Sequence, residues 1–155
     1  MKFGNDVEEP LRALFRVMHP EYQLEFVPYT VLRRDDEFDF MFSTPDGWLT
    51  EIDTGRKGLY ESKSSSCYSA KEFSEWQNKV PDGYYCQLLH SMYVGGFDFA
   101  VLFAILLNSE GDASVRAYKF ERQTMEGDMQ YLVGMEREFW KHVTDGTMPP
   151  LKISF

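Results

Sequence analysis

The sequence predicts a mixed α/β domain: one central mixed sheet flanked by helices on both faces. Three observations carry this expectation. An amphipathic helical segment opens the chain. Several short strand-like runs, separated by turn signals, follow it. Helical segments then give way to two more strands and a long final helix.

The elements follow in order. The first helix is expected at about 5–18, because Val7, Leu11, Leu14, Phe15 and Met18 recur at helical spacing. Asn5 or Asp6 is the expected cap. His19-Pro20 ends it, since the residue before proline avoids the helical region. Strands are expected at 22–27, 29–32, 38–43, 48–52 and 59–63, with Arg33-Arg34-Asp35-Asp36-Glu37 as a charged hairpin tip. Pro45-Asp46-Gly47 and Gly55-Arg56-Lys57-Gly58 are turn signals. Beyond Lys63 the period changes. A helix is expected at 69–79 with Ser69 as its cap, a turn at Pro81-Asp82-Gly83, and a second helix at 84–94 stopped by Gly95-Gly96. Strands at 100–107 and 115–120 flank a polar turn, and a helix at about 125–143 precedes a Pro149-Pro150 tail.

Composition bounds the function. A chain of 155 residues fits one domain, 1–155, with a real hydrophobic core. The hydrophobic fraction of 43% excludes a disordered chain. The polar start carries no targeting segment, and the apolar run at 100–107 is too short to span a bilayer, so no membrane partner is expected. Cys67 and Cys86 form no CxxC and cannot build a thiolate metal cluster; a reduced, cytoplasmic protein is the simple expectation. The net charge of -9 argues against a non-specific nucleic-acid coat. It does not exclude a DNA enzyme that gathers carboxylates around metal ions.

The residues that carry chemistry are Asp46 in Thr44-Pro45-Asp46-Gly47 and the pair Glu61 and Lys63 in Gly58-Leu59-Tyr60-Glu61-Ser62-Lys63. On a strand, Glu61 and Lys63 project side by side while Tyr60 and Ser62 face the other way. A short hairpin brings Asp46 beside Glu61, and two carboxylates suit a hard divalent cation, Mg²⁺ or Mn²⁺. Lys63 then orients an attacking water or stabilises charge on phosphoryl oxygens. Taken alone, Pro-Asp-Gly is also simply a favoured turn, and Glu61 with Lys63 simply a solvated pair on an edge strand.

These residues form the PD-(D/E)xK nuclease signature, and the chain as a whole resembles the YqaJ-like viral recombinases, the family of the phage lambda exonuclease. Gly4-Asn5-Asp6-Val7-Glu8 followed by Leu14-Phe15 resembles the family's first core helix. Ser43-Thr44-Pro45-Asp46-Gly47 resembles its S-x-PDG turn, and Gly58 to Lys63 its G-L-x-E-x-K strand. Pro81, Tyr84 or Tyr85, Gln87, His90, Ser91, Met92 and Val94 resemble its P…Y-x-Q-x-x-H/Y-S-M-x-V helix. The resemblance implies a restriction-endonuclease-like core. It implies metal ligation by Asp46, Glu61 and the Ser62 carbonyl, with Lys63, Gln87 and the first-helix Glu8 in the catalytic set and Glu8 as a further expected metal ligand. It further implies a 5′→3′ exonuclease on double-stranded DNA ends, a homotrimer, and a single-strand annealing partner in viral or prophage recombination.

Helix geometry bears on two of these residues. At about 100° per residue, Glu8 lies on the rim of the Val7/Leu11/Leu14/Phe15 face and Glu9 nearly opposite it. Gln87, expected as a buried amide, shares a face with His90, Ser91 and Val94. His90 reads as a packing or hydrogen-bonding residue beside the site, Ser64-Ser65-Ser66 as a polar loop, and Phe139-Trp140 as core packing of the last helix. Arg56, Lys57, Lys71 and Lys79 read as solvated surface. Family members usually carry an N-terminal segment that grips the DNA end. Here Gly4 follows only three residues, so those contacts are not carried over, and Arg33-Arg34 or another subunit is the expected substitute. Two other functions stay open: an endonuclease or Cas4-like enzyme of the same superfamily, without the latter's iron–sulfur cysteines, and a non-catalytic DNA-binding or assembly protein that retains the fold.

Overall fold

In this computed structural model, residues 2–33 and 40–150 are described. Helix α1 (Lys2–Met18) opens the chain. Strands β1 (Tyr22–Glu25), β2 (Leu32–Arg33), β3 (Phe42–Ser43), β4 (Gly47–Glu51) and β5 (Lys57–Ser66) follow. Helices α2 (Ala70–Ser74) and α3 (Asp82–Gly95) lead to β6 (Phe99–Leu107), β7 (Ala113–Glu121) and α4 (Arg122–Asp145). The main sheet has five strands in the order β1-β4-β5-β6-β7. Only β5 and β6 pair parallel, and the chain makes that return through α2 and α3.

The register of β6 explains its unbroken apolar sequence. Phe99, Val101 and Phe103 pack with Leu11 and Phe15 of α1, together with Leu24, Leu49 and Tyr60. Ala100, Leu102, Ala104 and Leu106 pack on the other face with Leu88 and Met92 of α3 and Met129 and Val133 of α4. A strand buried on both faces has no polar alternation to show. The expected sheet with helices on both faces is therefore present. Among the described residues no helix is long and apolar enough to cross a membrane. Cys67 is buried, Cys86 exposed, and both are free thiols.

Local boundaries differ from the sequence expectation in instructive ways. Asn5 and Asp6 lie inside α1, not at its cap, because the docked Leu11/Phe15 face lets helix propagate back to Lys2, even with Pro10 in its interior. Among the described residues, the runs at 29–32 and 38–43 contribute only the two-residue pair β2–β3, outside the main sheet. Of the expected hairpin tip, Arg33 ends β2, and the rest, including Arg34, lies outside the described residues. The helix capped by Ser69 is real, with Glu72 closing a capping box, but it ends at Ser74. Pro81-Asp82-Gly83 starts α3 and is not a separate turn: Pro81 is the N-cap residue. Gly96 stops α3 in a left-handed conformation (φ 66°), as the double glycine signals. Ser64, Ser65 and Ser66 belong to β5 and are not a loop, because parallel pairing with Ile105, Leu106 and Leu107 extends the strand. Phe139 and Trp140 are 56% and 39% exposed, so they are not core packing; Trp140 stacks on Phe40 instead.

Candidate active site

The site forms where β5 loses one of its two neighbours. β4 pairs with β5 only from Lys57 to Tyr60, whereas β6 follows β5 from Gly58 to Ser66. Beyond Tyr60, the β4 side of β5 is free of a strand partner, and the Asp46 side chain takes that place. Its Oδ2 accepts the Ser62 N–H at 2.8 Å and the Ser62 Oγ–H at 2.9 Å. In extended strand the N–H and C=O of one residue point to the same side. The Ser62 carbonyl therefore lines the same edge as Asp46.

Two glycines make this junction possible. A Cβ on Gly47 would meet the Glu25 carbonyl at 2.9 Å, so the residue after Asp46 must be bare for β4 to enter between β1 and β5. A Cβ on Gly58 would collide with the Phe99 ring. The glycines of the two short motifs are thus close-approach positions that fix where the carboxylates emerge.

Glu61 and Lys63 share the α3 face of β5, as strand alternation requires. Glu61 is 1% exposed. Its Oε2 accepts from Lys63 Nζ at 3.2 Å and, at the long end of hydrogen bonding, from Gln87 Nε2 at 3.4 Å. Its Oε1 is buried with no hydrogen-bond partner. Burial first, and the Asp46 charge second, push the Glu61 carboxyl up to about 7, against the opposing pull of Lys63. One ammonium does not neutralise this corner: two carboxylates meet there, and one oxygen is left without a proton donor.

The structure thus brings Asp46, Glu61, Ser62, Lys63 and Gln87 together. Gln87 is exposed, not the buried amide expected, because it lines an open cleft of about 550 Å³ together with Ser65, Ser66, Tyr84 and Trp76. Tyr84, and not Tyr85, faces the site: the Lys63 ammonium lies 5.5 Å from the Tyr84 ring, while the Tyr85 hydroxyl donates to Asp128 of α4. Glu8 is not drawn into the same contacts. It is partly exposed on α1, 3.8 Å from Arg12. Among the described residues no three histidine, cysteine, aspartate or glutamate side chains are grouped to hold a metal ion.

Sequence reasoning passed over Arg12 and the Tyr60 hydroxyl. Arg12 is 8% exposed, lies 4.0 Å over the Phe26 ring, and its Nη1 has no hydrogen-bond partner. The buried Tyr60 hydroxyl, also without a partner, feels Asp46 and Glu61 on one side and Arg12 and Arg16 on the other; burial foremost pushes its ionisation up. A guanidinium inside a protein stays charged, so Arg12 adds a fixed positive charge behind the carboxylates. The available signal was a cation next to Leu11 on the apolar side of α1.

Comparison with known proteins agrees with this architecture. The model of the YqaJ-like viral recombinase domain matches residues 1–98, which include α1, Asp46, the Glu61–Lys63 strand and all of α3. Comparison with curated proteins gives no match. Among solved structures, LHK-Exo in complex with dAMP superposes with a TM-score of 0.56 at 14% identity, over 94% of this chain and 74% of that one. An alkaline exonuclease (LHK-Exo) from Laribacter hongkongensis gives 0.52 at 14% identity with the same coverage. The mixed sheet flanked by helices is therefore the fold shared with these structures, a restriction-endonuclease-like α/β core.

Proposed function

The chain belongs to the YqaJ-like viral recombinase family, and from that premise we propose that it is a metal-dependent deoxyribonuclease, a 5′→3′ exonuclease acting on double-stranded DNA ends. The observation that carries this reading is Glu61: a carboxylate that is 1% exposed, beside a second carboxylate, with one oxygen lacking any partner. An isolated buried carboxylate is costly unless a cation compensates it.

The donor set fits the divalent ion that the family implies. Asp46, Glu61 and the Ser62 carbonyl would hold it, all hard oxygen donors suited to Mg²⁺, with Mn²⁺ as a substitute. When bound, such an ion polarises a phosphoryl oxygen and lowers the pKa of water. The chain's own residues supply the rest. Ser62 fixes the Asp46 carboxylate through two hydrogen bonds. Lys63, held by Glu61, presents an ammonium to the developing phosphoryl charge. Gln87 offers an amide that orients the nucleophilic water in the cleft. Glu8, on α1, serves as an outer carboxylate of the same set.

The cleft beside Gln87 receives the nucleotide next to the scissile bond. A ring-shaped homotrimer and a single-strand annealing partner belong to the same proposal and rest on the family alone. Digestion of 5′-phosphorylated linear duplex and of closed circular DNA with Mg²⁺ tests it. Loss of linear duplex alone, abolished by Lys63→Ala, is the expected result. Cleavage of circles marks an endonuclease, and cleavage of neither substrate overturns the nuclease reading.

A further inference from the structure

Asp46 stands between the firmly paired Gly47 of β4 on one side and a weakly paired piece of chain on the other. Two residues precede it, Thr44 and Pro45, and before them stands β3, Phe42 and Ser43, which among the described residues pairs only with the equally short β2. A two-residue ladder does not fix a strand by itself. Helix α3 grips both β3 residues. Ser43 Oγ donates to Ser91 Oγ at 2.7 Å in a buried contact. His90 Nε2 lies 2.9 Å from the Phe42 carbonyl oxygen.

The other ring nitrogen of His90 is also engaged by an acceptor: Nδ1 lies 2.8 Å from Glu136 Oε1 of α4. A neutral imidazole carries one N–H and one lone pair, so it can satisfy only one of these two oxygens. The arrangement is matched to the doubly donating cation. The His90 and Glu136 side chains are only 24% and 27% exposed, so water competes little.

We propose that His90 is a positioning residue: as an imidazolium it ties β3, and through it Asp46, to α3 and α4. Among the described residues, the charged group hydrogen-bonded to the ring is Glu136. Arg137 follows it on α4, Cys86 and Tyr93 are the neighbours one turn away on α3, and β3 offers the Phe42 carbonyl with no ionisable side chain. The Glu136 hydrogen bond holds the ring protonated above its ordinary range, against the opposing effect of burial. The clamp is therefore complete at low pH and is lost as pH rises through that raised value; a lone pair then meets an oxygen.

That Asp46 is a catalytic carboxylate rests on the nuclease reading, but its positioning has its own reporter. The Ser62 amide donates to Asp46, so its hydrogen-exchange protection measures whether Asp46 is in place. The experiment follows that protection by NMR from pH 6 to 9, alongside the His90 titration, in wild type, His90→Phe and Glu136→Gln. Ser62 protection in wild type is expected to fall about tenfold as His90 loses its proton, while the β6 amides stay protected. His90→Phe shows the lower protection at every pH, and Glu136→Gln moves the break to lower pH. Ser62 protection that ignores the His90 titration, or that is unchanged in His90→Phe, overturns the proposal. If His90→Phe does not fold, Glu136→Gln decides: an unmoved break overturns it. Wild type that shows the Ser62 response yet cuts no DNA keeps the clamp and rejects the nuclease.

Discussion

The two halves of β5 differ in one respect that organises the molecule. From Lys57 to Tyr60 the strand has β4 on one side, and from Gly58 onward β6 on the other; Leu59 and Tyr60 are both fully buried among apolar neighbours. From Glu61 to Ser66 it keeps β6 alone, and its side chains turn abruptly polar. The first half is a structural rod. The second is a ledge whose open edge is taken by Asp46 and whose α3 face holds Glu61 and Lys63. A strand that ends one pairing while continuing another provides rigid backbone and unpaired polar groups in the same place.

Substitutions in the two halves should therefore separate stability from activity. The largest effect is expected for Lys63→Ala on the ledge: DNA cleavage falls at least about a thousandfold, or about 4 kcal/mol of transition-state stabilisation, while the urea midpoint stays near wild type. Leu59→Ala in the rod should do the reverse. It leaves a cavity between β5 and α3 and costs roughly 3 kcal/mol in urea unfolding, with cleavage kept in the folded fraction. An equal loss of stability in both variants would erase the distinction.

Next in size is Glu61→Gln in metal-free protein. Folding raises this carboxyl from its ordinary value near 4.5 to about 7. The native state thus holds the proton more tightly than the unfolded chain, so stability falls as pH rises from about 4.5 to about 7. Replacing the acid removes that loss. The variant should match wild type near pH 4 and exceed it by roughly 3 kcal/mol at pH 8. A pH-independent difference would mean that Glu61 is not the strained group. Ser62→Ala should have the smallest effect. Asp46 keeps the amide donor and loses the hydroxyl, which costs about 1 kcal/mol or a five- to tenfold fall in cleavage.

Much of this ledge was legible in the sequence, for reasons of period. Alternation alone places Glu61 and Lys63 on one face and Tyr60 and Ser62 on the other, and the two glycines mark where chains approach. The serines after Lys63 were not legible as strand, since their conformation comes from pairing with the apolar β6 and not from local propensity. Nor was the separation of β2 and β3 from the main sheet, because a run such as Phe40-Met41-Phe42 carries the same signal in a two-residue ladder as in a central strand. Gln87 shows the limit of helix-face arguments: its direction was right, but its exposure depends on a cleft formed by Tyr84, Ser65 and Ser66. Arg12 was missed because a single cation on an amphipathic helix looks like surface until the sheet covers it.

If the Asp46–Glu61 corner holds a divalent cation, calorimetric titration of Mn²⁺ into wild type and Asp46→Asn near pH 7 reads it out. Saturable binding to wild type with proton release is expected, since Glu61 is partly protonated at that pH, with at least about a hundredfold weaker binding to Asp46→Asn. Absence of binding to wild type, or binding that Asp46→Asn leaves unchanged, would contradict a cation held at this corner.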